Sequence, residues 1–299
     1  GFLEKAAPPS GRTTAAELGL YEPAPTDGAA AARDARRTRD AQDAEDEGRA
    51  ITYKEFLARL ATPRAAKLVD HVRAFVRHDC APADLPGACR SFFDAAEAHM
   101  EQRDEWRELG PRGVASARTG LETYVLSKLG DRCFDAVRDD AADAALRQRC
   151  RALATFVEPT HLDVKPGLVN EVVLGVAGDE LRRVDACRAP ADKVACVVRC
   201  ASMIFSLLNL SRAGDSSRAD EGGRAGADDF LPLFILVVLR ADVPRLASHC
   251  AYIDAYHNPS SLMSRDGYCF CNLRSAVEFI SSVDATGLNG MDAAAFEAA

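Results

Sequence analysis

Two aspartates, Asp228 and Asp229, stand directly before the apolar run Phe230–Leu239 in the stretch GADDFLPLFILVVLR. Carboxylates in that place can serve two ends. A helix start leaves backbone N–H groups without partners and carries a partial positive charge, so one Asp there is favoured by the fold alone. A carboxylate not used that way is a charge presented to something outside the chain. Pro232 fits the first turn of the helix that must follow, because it has no N–H to lose there. One acid is therefore explained by local structure, and the other is a candidate for chemistry. Cys269 and Cys271 form a C-x-C, with His249, Cys250 and His257 nearby in sequence. Zinc sites usually combine two such short-spaced pairs at a fixed separation, and that pattern is missing, so no metal is expected. None of the six histidines stands in a recognisable catalytic motif, which argues against hydrolase chemistry.

The elements that must carry these residues read as helices. Tyr53, Phe56, Leu57 and Leu60 follow the i, i+3, i+4, i+7 pattern of an amphipathic helix. Thr62 is a plausible N-cap and Pro63 suits the first position of a second helix, whose inner face is Leu68, Val72, Phe75 and Val76. A third carries Cys89, Phe92, Phe93, Ala96 and Met100. A fourth, longer helix carries Leu121, Tyr124, Val125, Leu129, Phe134 and Val137, and another Leu146, Cys150, Leu153, Phe156 and Val157. No stretch sustains the alternation of a strand, so the fold is expected to be all-α. Residues 192–210 and 230–239 are apolar on nearly every side, which predicts two central helices covered all round. Between them, residues 211–227 are rich in Gly, Ser and charge and read as a mobile loop.

Bulk properties narrow the function classes. The 299 residues are 47% hydrophobic and 27% charged, the balance of a globular protein. The net charge of −8 argues against nucleic-acid binding, which needs a basic face. The apolar run Phe230–Leu239 is too short to span a bilayer, which takes about 20 residues, so no transmembrane segment is expected. Ten cysteines are present, several of them inside helical apolar patterns, and they read as reduced core thiols of a cytosolic protein. Residues 1–50 hold Pro8, Pro9, Pro23 and Pro25, then an Ala-rich tract of mixed charge. Pairs such as Arg36/Asp40 and Arg39/Asp43 could support a solvated helix, but the tract has no large apolar face and is expected to be a disordered tail. The first residue is not Met, so the sequence reads as a piece of a longer chain.

Four motifs taken in order, ADDFLP, VLRADVPRL, YIDAYHNPSSLM and DGYCFCNLRSAVEFI, closely resemble the vacuolar-protein-sorting-nine domain. That family supplies the guanine nucleotide exchange factors of endosomal Rab GTPases. Upstream, LETYVLSKLGDRCF is similar to the family's opening helix, and RAPADKVACVVRCASMIFSLLNLS to its core helix. Residues 52–118 resemble the helical bundle that precedes the domain in Rabex-type and plant exchange factors. The resemblance implies a bundle over 52–118 packed against a layered exchange domain over 119–299.

The resemblance also implies roles. Asp228 matches the acidic finger, a carboxylate pushed toward the phosphate site of the GTPase, where it disfavours the nucleotide's phosphates and pairs with the lysine they leave. Asp229 is then left as the helix-start carboxylate. Pro232, Tyr268 and Asn272 match the apolar groove that receives the GTPase switch regions. Cys271 stands where the family usually has Thr, and a thiol is a much weaker hydrogen-bond donor. Such a protein performs no covalent chemistry and needs no cofactor, acting on the GDP and magnesium held by its partner. The implied partner is a Rab of the early-endosomal Rab-five class, and the implied location is the cytoplasm with recruitment to endosomal membranes. The rival reading is a Rab-binding scaffold that has lost exchange activity, for which Cys271 is the one hint.

Overall fold

The computed structural model describes residues 48–214, 227–260 and 265–298. Most of the expected disordered tail and of the expected loop lies outside these residues. Among the described residues the structure is helical, with no strand.

Helix α1, Tyr53–Leu60, begins with a reciprocal cap: the Thr52 hydroxyl accepts from the Glu55 N–H while the Glu55 carboxylate accepts from the Thr52 N–H. The second helix starts later than its sequence suggests. Thr62 does not cap it; its hydroxyl donates to the Arg59 carbonyl at 2.7 Å, and Pro63–Ala65 form a single 3-10 turn before α2, Ala66–Arg77. Then come α3 (Leu85–Glu101), the one-turn α4 (Asp104–Arg107) and α5 (Gly110–Leu129). The long helix expected through Val137 is broken. Gly130 takes φ +63, a left-handed conformation that glycine adopts without penalty, and the chain restarts as the short α6, Arg132–Asp135. Asp139 caps α7 (Asp140–Ala154), so Phe156 and Val157 lie beyond its end, and Asn170 caps α8 (Glu171–Arg182). The remaining helices are α9 (Pro190–Gly214), α10 (Phe230–Ala241), α11 (Leu246–Tyr256), α12 (Arg265–Ser282) and α13 (Ala293–Ala298). Ser211–Gly214 therefore continue α9 instead of opening the loop.

Two apolar cores result. The first gathers Phe56, Leu68, Cys89, Phe93, Met100, Trp106, Leu121 and Val125 from the N-terminal helices, and Tyr252 and Tyr256 of α11 reach into it. The expected division at 118/119 falls inside α5, which feeds this core on both sides of that point, through Ala117 and Leu121. The second core is built around α10, whose residues Leu233–Leu239 are all 3% exposed or less. Helices α7, α8, α9 and α12 surround it.

Helix α9 departs from the expectation of complete cover. Cys196, Val197, Cys200, Ala201 and Ile204 face the core, while Leu210 is 70% exposed. Its stretch Pro190–Ser211 is, by length and mean hydropathy of 1.7, apolar enough to cross a membrane. Counting only uninterrupted apolar runs missed it, because Asp192, Lys193 and Arg199 punctuate the stretch. Here its apolar face is spent against α8, α11 and α12. All ten cysteines are free thiols.

Candidate functional site

The doubled acid sits in a single 3-10 turn, Ala227–Asp229, directly ahead of α10. This turn separates the two carboxylates. Asp228 is exposed. Asp229 occupies the N-cap position but has helical backbone angles (φ −81, ψ −12), and its side chain makes no capping hydrogen bond. An N-cap residue ordinarily has an extended backbone, which aims its side chain back at the first amides. The preceding 3-10 turn removes that geometry. Asp229 instead pairs with Lys165, Nζ to Oδ1 at 3.0 Å, from the connection between α7 and α8. The helix-start role expected for Asp229 is thus one of position, with an ion pair in place of the cap.

Behind the turn lies a stack of aromatic rings. Phe230, fully buried, lies parallel to Phe205 of α9 with centroids 4.2 Å apart, and Phe234 continues the stack at 5.3 Å. Tyr268 of α12 closes the edge, 6.3 Å from Phe230 and 6.4 Å from Phe205. Such tilted and offset contacts suit the ring quadrupoles. Tyr268 is half-buried. Burial pushes its hydroxyl pKa up, against the pull of Asn272, and the Asp228 carboxylate adds a small further rise.

The other anticipated residues divide. Cys271 is exposed on α12, one turn from Tyr268, and Asn272 donates its amide to the Tyr268 carbonyl at 2.8 Å. Pro232 is buried in the first turn of α10. The structure therefore brings Asp228, Tyr268, Cys271 and Asn272 to the start of α10 and the first turns of α12, with Pro232 beneath. Sequence reading missed two residues that shape this place. Lys165 stands in an unremarkable polar stretch, and Phe205 looked like one more core residue of α9. No local signal marks either. Arg265, also unforeseen, donates to the Ser202 hydroxyl at 2.6 Å and ties the start of α12 to α9.

The residues weighed as zinc ligands are dispersed among other tasks. His249 contacts Asp185 at 3.0 Å and Lys193 at 3.2 Å, Cys269 is buried and Cys271 faces solvent. Among the described residues no group of three His, Cys, Asp or Glu is placed to hold a metal. A broad groove of about 430 Å³ between α1, α2 and α5 shares no residue with the Asp228 site. What the site offers is an exposed carboxylate beside a half-buried aromatic edge. Chemically, such an arrangement can engage another macromolecule, with the amphipathic aromatic as an anchor.

Residues 174–285 match the "Vacuolar sorting protein 9 (VPS9) domain", a span that contains α9, α10, α12 and Asp228, Tyr268, Cys271 and Asn272, with Lys165 upstream of it. The chain is 32% identical over 254 residues to Vacuolar protein sorting-associated protein 9A of Arabidopsis thaliana, covering 81% of this chain and 46% of that protein. The protein of the same name in Oryza sativa subsp. japonica is 32% identical over 250 residues, covering 80% and 50%. The human "Rab5 GDP/GTP exchange factor" is 31% identical over 221 residues, covering 71% and 42%. The chain spans about half the length, or less, of these relatives. By the 174–285 match, and by likenesses that extend well upstream of it, the chain belongs to the VPS9 domain family.

Proposed function

We propose that this chain is a guanine nucleotide exchange factor that accelerates GDP release from a Rab GTPase of the Rab5 class. The observation that carries the reading is the exposed Asp228 carboxylate beside the aromatic edge formed by Tyr268, Phe205 and Phe230. A GTPase holds GDP through its phosphates and their magnesium. A carboxylate driven into that site opposes the phosphates electrostatically and offers an anion to the cation they vacate. The protein then needs no cofactor of its own and makes no covalent bond. The human relative supports the Rab5 class by name, the plant VPS9A proteins support the broader trafficking role, and both fit action at endosomal membranes. In this reading residues 52–118 support the exchange domain, with Tyr252 and Tyr256 as the mechanical link.

The direct test loads a Rab5-class GTPase with fluorescent GDP and follows its release on adding this chain with excess GTP. Acceleration is the expected result. Binding without acceleration would favour the scaffold.

Two finer expectations follow. The Lys165–Asp229 pair fixes the turn that presents Asp228. Lys165→Glu would set two carboxylates against each other and is expected to slow exchange about tenfold. The pair is partly exposed, so stability should fall by less than about 1 kcal/mol. Restoring the pair in reverse, Lys165→Glu with Asp229→Lys, should recover most of the rate; no recovery would show that the turn is held by something else. Cys271 occupies the exposed rim next to Tyr268. Cys271→Thr restores a hydroxyl donor and is expected to retain or raise the exchange rate, and a large loss in the same assay would remove Cys271 from the interface.

A further inference from the structure

The loop between α8 and α9 brings two thiols together away from the Asp228 site. Cys187, half-exposed, lies just past the 3-10 turn Arg183–Asp185 that follows α8. Cys196, fully buried, lies in the second turn of α9. Their sulfurs are 3.5 Å apart, in contact but not bonded. Two cations attend them. The Arg199 guanidinium, held by Glu180 at 2.7 Å, places its second nitrogen 3.1 Å from the Cys196 sulfur. The buried Lys193 ammonium donates to the Cys187 carbonyl at 2.6 Å and to the Val184 carbonyl at 2.9 Å, which pins the loop against α9. His249 contacts that lysine through Nδ1 at 3.2 Å, and Asp185 holds the other nitrogen of the His249 ring at 3.0 Å. The loop is thus fastened by interactions that do not involve the sulfurs, and the sulfurs face each other within it.

We propose that Cys187 and Cys196 form a peroxide-responsive dithiol, which a hydroperoxide converts into an intramolecular disulfide. The asymmetry assigns the parts. Cys187 is the partly exposed member of the pair and is assigned the reaction with a solvent-borne oxidant. Its thiolate attacks the peroxide O–O bond, giving a sulfenic acid at Cys187 and releasing the alcohol, or water when the oxidant is hydrogen peroxide. The Cys196 sulfur then attacks the Cys187 sulfur. The S–S bond forms, the sulfenic S–O bond breaks, and the Cys196 proton leaves with the hydroxide as water. Two electrons pass from the two sulfurs to the peroxide. Burial pushes the Cys196 thiol up to about 11, which suits a resolving sulfur that stays protonated until its partner is activated. Arg199, already in contact, stabilises the charge that builds on Cys196 as its proton departs. A bonded pair needs about 2.05 Å between sulfurs, a closure of roughly 1.5 Å from the contact seen. This inference is independent of the exchange reading.

Peptide mapping tests it on the folded chain. Free thiols are alkylated after brief treatment with equimolar hydrogen peroxide, and the chain is then unfolded and cut with trypsin. The expected product is the fragment 184–188 joined to the fragment 194–199, lost again on reduction with dithiothreitol. In Cys196→Ser the same treatment should leave Cys187 as a sulfenic acid that dimedone labels. The exposed Cys271 serves as internal comparison, since it should oxidise without joining a partner in the same chain. Alkylation of both Cys187 and Cys196 after Cys271 has been oxidised would overturn the proposal. So would Cys187 reaching the sulfinic state unjoined, or pairing with any cysteine other than Cys196.

Discussion

Asp228→Ala is expected to lower the accelerated rate of GDP release about 100-fold, the loss seen when one preorganised electrostatic group is removed from a reacting site. The melting temperature should move by no more than about 2 °C. Both halves of this expectation come from the same geometry. The Asp228 side chain is exposed, and it is Asp229 that forms an ion pair with Lys165. An exposed carboxylate outside any buried network contributes within about 0.5 kcal/mol to stability. Asp228→Asn separates shape from charge, since it keeps the size and one acceptor oxygen, replaces the other oxygen with an NH2 donor, and loses the negative charge. If electrostatic opposition to the phosphates is the mechanism, Asn should behave like Ala. An Asp228→Ala chain that melts far lower would make the residue structural, and one that exchanges at the full rate would remove the acidic finger from the mechanism.

The second large effect lies in the bundle. Arg118, 1% exposed, is the centre of three carboxylates: Glu122 at 2.8 Å, Glu97 at 2.6 Å and Asp94 at 3.1 Å. It also lies over the Phe93 ring at 5.4 Å. Glu122 is equally buried, and its second oxygen finds no hydrogen-bond partner among the described residues. Burial pushes the Glu122 carboxyl up to about 7, against the pull of Arg118. Its folded value therefore lies above the value near 4.3 of an unfolded chain. Between those values the folded chain holds a proton that the unfolded chain has released, so the contribution of Glu122 is fully present below about pH 4 and is lost as pH rises through 7.

Removing Arg118 strips the one cation from this group and moves the window to still higher pH. Arg118→Ala is expected to cost roughly 3–5 kcal/mol at pH 8, where Glu122 must either keep an uncompensated buried charge or take up a proton that the unfolded chain releases, lowering the melting temperature by about 10 °C or more. At pH 5 the loss should be clearly smaller, because Glu122 is then protonated in the folded state. Adding Glu122→Gln to Arg118→Ala should recover much of the stability at pH 8. Equal losses at both pH values would place the effect in the Phe93 contact and side-chain packing instead of charge.

Much of the architecture was legible in short stretches of sequence, because helical periodicity and capping are local. The apolar faces of α1, α2 and α3 are read from spacing alone, and Phe230–Leu239 announces a helix that must be enclosed. Local errors had local causes. Gly130 ended a helix that apolar spacing continued, and Thr62 turned its hydroxyl back to Arg59. The candidate site was legible only in part. The physics of a helix start assigned one of two adjacent acids to a cap, which Asp229 exchanges for an ion pair with Lys165, and the motif resemblance pointed to Asp228.

What separates the acids, however, is decided by a lysine 64 residues away. Phe205 and Tyr268 became walls of the same site only when α9 and α12 met beside α10. Arg118 likewise draws Asp94 and Glu97 from α3 into one group with Glu122. The amino-acid order by itself determined that the chain is helical, which helices are greasy, and that the segment before α10 carries an excess negative charge. Only the tertiary structure decided which charges meet, because an ion pair or ring contact depends on distances across the fold, and neither periodicity nor composition encodes the path by which distant helices arrive side by side.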